Sequence, residues 1–186
     1  MKKLWFRLKM ALFALLPMCG YSQTRSATDV LEEDFIDIST VPALDVSRYM
    51  GVWYEIARYE NRFERGMTHV RTTYSLDKNG KLRIQNEGVK NGKRYTSNGK
   101  GKIPDPLNYP GRMRVSFFLW FYSDYYVLEL DERDYMYAVV GSSDSDFLWI
   151  LYRHPVMPKE LLTDLLQRIE KRGYDVSRLL FVDQKS

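Results

Sequence analysis

Residues able to do chemistry are sparse in this chain. His69 and His154 are its two histidines and Cys19 its one cysteine. No Gly-x-Ser-x-Gly elbow, His-Glu-x-x-His pair, P-loop or dinucleotide fingerprint accompanies them. A metal needs several ligands converging on one point, and the two histidines are expected at opposite ends of the fold. No catalytic residue, metal ligand or cofactor is therefore assigned. The informative pattern is structural: Gly51-Val52-Trp53-Tyr54-Glu55-Ile56-Ala57-Arg58-Tyr59. Asp45 can cap one helical turn from Val46 to Met50, and Gly51 can end it in a backbone conformation that other residues enter at a cost. The strand that follows turns Trp53 inward.

The rest of the chain supplies the elements that would position these residues. Strand-like alternation is broken by turn signals every 8 to 12 residues or so, the spacing of a sandwich or barrel. The pattern predicts strands at 52–60, 69–77, 81–89, 93–102, 112–119, 124–131, 134–141 and 146–153. Asp77-Lys78-Asn79-Gly80 and Lys90-Asn91-Gly92 read as hairpin turns, their Asn-Gly pairs supplying positive φ. The prolines between Pro104 and Gly111 mark a longer loop that no sheet interior could hold. Pro158 opens a helix in which Leu161, Leu162, Leu165, Leu166 and Ile169 share one face. Gly173 stops it, and 178–182 returns as a short final strand. The expected class is all-β with one α-helix: an eight-stranded up-and-down antiparallel barrel, a C-terminal helix and a short last strand.

Residues 1–22 read as an export signal, with Lys2, Lys3, Arg7 and Lys9 before the apolar run from Met10 to Leu16. Cleavage after Ser22 is preferred. The alternative is Leu16-Pro17-Met18-Cys19 as a lipoprotein signal, with Cys19 acylated, although Met18 is a poor residue before such a cysteine. The run is too short to span a bilayer, which takes about 20 residues. Residues 23–43 form a polar, acidic lead, and 44–184 the folded domain. The 28 Lys and Arg exceed the 24 Asp and Glu only through the four cations of the signal, so the exported domain is neutral. It lacks the basic face that nucleic-acid binding needs. With Cys19 the only cysteine, the domain has no disulfide and depends on burial for stability.

The order of elements from Leu44 to Gln184 resembles the lipocalin family. Two further motifs carry the resemblance: Leu130-Asp131-Glu132-Arg133-Asp134-Tyr135 is similar to the family's turn between the sixth and seventh strands, and Arg153 stands where the family sets a cation over the first-strand tryptophan. Phe63-Glu64-Arg65-Gly66, Val115-Ser116-Phe117-Phe118 and Phe147-Leu148-Trp149-Ile150-Leu151 look like the branch of bacterial lipocalins and apolipoprotein D. The resemblance implies binding of fatty acids or lysophospholipids in the cell envelope, in the periplasm or at the outer membrane. It implies structural roles for Gly51, Trp53, Asp134, Tyr135 and Arg153.

Strand parity then nominates the ligand wall. It takes Ala57 and Tyr59 on the first strand, Phe147, Trp149 and Leu151 on the eighth, Ile84 and Asn86 on the third, and Met113, Val115 and Phe117 on the fifth. Tyr125 and Val127 follow on the sixth, and Ala138 and Val140 on the seventh. A one-residue bulge inverts such an assignment, and the second and fourth strands alternate too weakly to assign. Glu55 and Glu129 have inward parity, so each needs a partner or takes the opposite phase. At the mouth, Trp120, Phe121 and Tyr122 could guide an amphiphile, touch a bilayer or fold back on the barrel. Arg62, Arg65 and Lys93 could meet a head group or simply be solvated. Three rivals stand beside the carrier reading: a filled barrel acting through its surface, an enzyme acting on a bound lipid, and an outer-membrane barrel. Arg112, Arg114, Lys100 and Lys102 on the outer faces of their strands argue against the last. The protein is expected as a monomer or weak dimer.

Overall fold

The computed structural model describes residues 35–185. The export signal, Cys19 and residues 23–34 of the lead lie outside the described residues. Asp45 caps α1 (Val46–Tyr49), its carboxylate accepting from the Ser47 and Arg48 amides at 2.9 and 3.2 Å. Gly51, at φ +98°, turns the chain into β1 (Gly51–Tyr59). A side chain there would be strained and would also meet the Arg153 guanidinium 3.3 Å from its Cβ.

The strands β2 (Thr68–Leu76), β3 (Leu82–Lys90), β4 (Lys93–Lys102), β5 (Arg112–Phe118), β6 (Phe121–Leu130), β7 (Tyr137–Gly141) and β8 (Leu148–Tyr152) follow in antiparallel succession. β8 pairs with β1, and the first half of β1 pairs with β2, which closes the eight strands into a barrel. The second half of β1, from Ala57 to Tyr59, instead pairs with β9 (Leu179–Phe181). Closure removes the free edges that an open sheet would expose. Asn91 and Gly92 form the tight β3–β4 turn, both at positive φ. β6 and β7 differ from the expected ranges: β6 starts three residues early because Leu119-Trp120 is a two-residue turn, and β7 starts three residues late, after the turn at 131–136.

Two cores result. One fills the lower barrel, where Tyr49, Trp53, Tyr74, Met113, Val127, Ala138, Val140 and Leu151 are buried together. The other lies outside the wall, where α2 (Lys159–Lys171) presses Leu165 and Ile169 against Leu128, Val139, Leu148 and Ile150. Burying such aliphatic side chains stabilises by about 1.5–3 kcal/mol each before entropy costs. Arg172 and Arg168 add ion pairs to Glu129 at 2.8 and 3.2 Å, and Arg172 also binds Asp37 at 3.0 Å, fastening the lead to the helix.

Bulges decide which residues reach the interior. The β1–β8 register shifts between Glu55 and Ala57, so Glu55 and Arg58 face the axis. Ala57 and Tyr59, expected in the ligand wall, belong instead to the outer core; the Tyr59 hydroxyl donates to the Asp175 carbonyl at 2.8 Å. A second shift between Val127 and Glu129 turns Glu129 outward to α2 and returns Leu130 to the interior. One added residue inverts the facing of everything beyond it.

Candidate functional site

The floor is built around Trp53. Arg153 places its guanidinium carbon 3.8 Å from the Trp53 ring centroid and donates to the carbonyls of Tyr135, Val52 and Arg48 at 3.0, 3.0 and 2.7 Å. The indole N–H goes to the Tyr49 carbonyl at 2.8 Å. Tyr135, at φ +56°, receives the Asp45 amide on its hydroxyl, and Arg48 stacks on its ring at 4.2 Å. Asp134 does not share this work. Its side chain is 64% exposed and reaches only Arg133, whereas Asp131 accepts from the Arg133, Asp134 and Met136 amides. The structural role expected of Asp134 belongs to Asp131.

Above the tryptophan, three tyrosines meet head to head. The hydroxyls of Tyr49 and Tyr74 lie 2.7 and 2.8 Å from that of Tyr125. Burial pushes all three phenols up from their ordinary range, so they act as neutral donors and acceptors. Ile84, Met113, Val127, Ala138 and Val140 face the axis at this level and are at most 3% exposed, so they form packed core rather than cavity wall.

A charged tier follows, of which strand parity gives Glu55 but neither Arg58 nor Glu64. Arg58 is fully buried and donates to the Glu55 carboxylate at 2.6 Å and to the Glu64 carbonyl at 2.8 Å. The Glu64 side chain, from the β1–β2 loop, accepts from Asn61 at 2.7 Å and from the Trp149 indole at 3.0 Å. Burial, then the charge of Glu64, hold the Glu55 carboxyl well above the usual carboxylate range, with Arg58 offsetting in part.

Beyond that tier the inward side chains become partly accessible. Asn86 and Tyr95 lie at inward register positions on β3 and β4, Trp149 at one on β8 with Phe147 stacked beside it, and Phe117 sits at a register shift of β5 between Val115 and Phe118. All five are partly accessible, Tyr95 and Phe117 by 46% and 41%. Phe117 lies directly over Gly99, where an added Cβ would come within 2.8 Å of its ring. Val115 packs on the edge of the inner core, Phe147 stacks on Trp149 at 5.8 Å, and the Asn86 carbonyl oxygen is buried without a partner among the described residues. Arg62 and Arg65 are exposed on the β1–β2 loop; Tyr122 lies outside the wall, beneath Lys100 and Lys102. An open groove of about 550 Å³ runs along β2–β4, and Phe117 borders it together with Ser116, Phe118 and Leu119.

His69 binds Thr68 and the Lys185 carbonyl, and His154 lies against Tyr152. Among the described residues, no three His, Cys, Asp or Glu side chains converge as a metal site, and no helix is long and apolar enough to cross a membrane.

Floor, charged tier and open upper end define a calyx: an up-and-down barrel sealed at one end by a stacked Trp–Arg pair and accessible from the other. Residues 44–184 match the model of the lipocalin-like domain. The chain belongs to the lipocalin family, on the branch of bacterial lipocalins and apolipoprotein D. It is 40% identical over 149 residues to the outer membrane lipoprotein Blc of Escherichia coli, covering 79% of this chain and 83% of the relative. With bovine apolipoprotein D it shares 29% identity over 147 residues, covering 75% and 77%. Insecticyanin of the tobacco hornworm Manduca sexta has the same fold, with a TM-score of 0.70 at 24% identity, covering 82% and 87%.

Proposed function

We propose that the upper lumen binds one acyl chain, of a fatty acid or lysophospholipid, and that the protein carries this lipid within the cell envelope. The observation that carries the reading is the gradient of exposure along the barrel axis: inward residues are sealed at the floor and accessible at Asn86, Tyr95 and Trp149, with Phe147 stacked on Trp149 and Phe117 over Gly99. An accessible wall of aromatic rings with a few amides and hydroxyls suits an apolar tail. A dozen buried methylenes would contribute about 8 to 10 kcal/mol before ordering costs, enough for micromolar binding without a polar contact to the tail. The envelope assignment rests on the export signal read at 1–22 and on the relative named as an outer membrane lipoprotein.

The reading is one of binding without turnover. Displacement of a fluorescent fatty acid by unlabelled fatty acid and lysophospholipid tests it, and saturable one-to-one displacement is expected. A folded sample with no saturable binding would favour a barrel that acts only through its surface. Mass spectrometry of the exported protein is expected to find Gln23 as the first residue and a co-purifying lipid. A first residue of acylated Cys19 would make the carrier membrane-anchored.

A further inference from the structure

The tip of the β5–β6 hairpin breaks the usual chemistry of turns. Phe118 pairs with Phe121, leaving Leu119 and Trp120 as a two-residue turn, a place where Asn and Gly are favoured because they accept positive φ. Leu119 nevertheless sits at φ +50°. Its neighbours are as unusual: Phe117, Phe118, Leu119, Trp120 and Phe121 are 41%, 67%, 53%, 71% and 66% exposed. Phe121 stacks with Phe118 and with Trp120, at 6.3 and 6.2 Å, so the tip forms a cluster of its own. A strained turn that displays large apolar side chains is a local sacrifice that packing does not explain.

The charges around the rim say what the cluster meets. From Gly88 to Pro104 the chain carries Lys90, Lys93, Arg94, Lys100 and Lys102 and no acid. Three of these sit on or beside the β3–β4 turn, next to the apolar tip in the order of the sheet, and Lys100 and Lys102 flank its outer side over Tyr122. On the other side of the β3–β4 turn, the β1–β2 loop adds Arg62, Arg65 and a 64% exposed Phe63. Of the rim acids, Asp144 and Asp146 are on the β7–β8 loop, across the mouth from the β3–β4 turn, with Asp146 paired to Arg178, while Glu60 lies 3.8 Å from Arg58, Glu64 is held by Asn61 and Trp149, and Asp124 pairs with Arg114. Aromatic and aliphatic side chains at a tip, backed by cations, match the two layers of an anionic bilayer surface: acyl boundary and phosphate.

We propose that the protein docks mouth-first on an anionic bilayer, with Leu119, Trp120 and Phe121 entering the interface and Lys93, Arg94 and their neighbours meeting lipid phosphates. This goes beyond lipid carriage, because it requires no occupied lumen. If both hold, the open end of the barrel faces the source of its ligand.

Vesicle co-sedimentation tests the docking, with the protein carrying Cys19→Ser so that no acyl chain on residue 19 contributes. Binding to phosphatidylglycerol-containing vesicles, weakened by salt, is expected, with little binding to phosphatidylcholine alone. Leu119→Gly with Trp120→Ser should weaken vesicle binding by roughly tenfold or more. The same variant should unfold at no lower urea concentration, because glycine relieves the turn, and should keep its fatty-acid displacement curve. Lys93→Glu with Arg94→Glu should remove the preference for anionic vesicles. Unchanged vesicle binding by the tip variant would overturn the proposal. So would absence of vesicle binding by the starting protein, including the case where sedimentation shows the tip buried between two copies of the chain.

Discussion

The indole of Trp149, on the lumen wall, donates to the carboxylate of Glu64 in the β1–β2 loop at 3.0 Å. The same oxygen accepts from Asn61, whose own side-chain oxygen receives the Phe63 and Glu64 amides. Arg58 completes the join from below through the Glu64 carbonyl. A mouth loop is thereby fastened to the interior wall at the level where the sealed core gives way to the open lumen.

Glu64→Ala leaves the Trp149 indole and the Asn61 amide without their acceptor, so it should cost about 1–3 kcal/mol of stability, the range for leaving a buried donor unsatisfied. A double-mutant cycle with Trp149→Phe in urea unfolding should return a coupling of about 1 kcal/mol. A coupling within about 0.3 kcal/mol of zero would show the two residues to be energetically independent.

Glu55 predicts a pH effect of unusual sign. Its carboxyl is raised in the folded protein by burial and by Glu64, so above its unfolded value the native state holds a proton that the unfolded state has released. Stability from this group is fully present below its ordinary value of 4.5 and is lost as pH rises toward the folded value. Asp37, Asp77, Asp105 and Asp175 are lowered by hydrogen bonds, so their contribution runs the other way and disappears in acid. The difference between the protein and Glu55→Gln isolates the first effect. From pH 5 upward the protein should lose stability relative to the variant; a relative gain would mean that Arg58 keeps Glu55 ionised.

The features legible in the sequence were those carried by residue type at a fixed place. Gly51 after a capped turn, Trp53 and its distant Arg153, the Asn-Gly hairpin and the leucine face of α2 each announce a local geometry. The register shifts do not, because an extra residue inside a strand leaves no compositional trace, and the one in β1 takes Ala57 and Tyr59 out of the proposed wall. β4 resisted assignment because its inward row ends in Ser97, Gly99 and Gly101, too small to stand out against its polar outer row. Tyr74 was within reach of parity, whereas Arg58 and Glu64 required the bulge and the loop geometry. At the 131–136 turn two aspartates compete, and the residue preceding the turn, Asp131, takes the amide contacts in the usual manner of such turns.

Arg153 combines a stacked cation with three carbonyl contacts, so Arg153→Ala should cost about 2–4 kcal/mol. Arg153→Lys should recover little, since a single ammonium cannot reproduce the planar fork over the indole. Chemical denaturation measures both. Each variant should still bind fatty acid with unchanged affinity under conditions where it is folded, because the floor lies below the sealed tyrosine tier. A weaker affinity at full folding would place ligand contact deeper than the accessible residues.

The sharpest test of the bulge sets the inner wall against the outer one. The proposed acyl-chain site includes Phe147 and Phe117, so a carboxylate in place of either should weaken acyl-chain binding by roughly tenfold or more, as burying an unpaired charge against a hydrocarbon tail is costly. Tyr59 lies in the outer core, edge-on to Tyr174, and its hydroxyl donates to the Asp175 carbonyl. Tyr59→Phe should therefore lower stability by about 0.5–1.5 kcal/mol and leave fatty-acid affinity unchanged. Parity without the bulge requires the opposite for Tyr59: weaker binding of the ligand and little effect on the packing of the helix. Displacement titration and urea unfolding on Phe147→Asp, Phe117→Asp and Tyr59→Phe separate these outcomes. Loss of affinity in Tyr59→Phe with both aspartate variants unaffected would exchange the inner and outer walls.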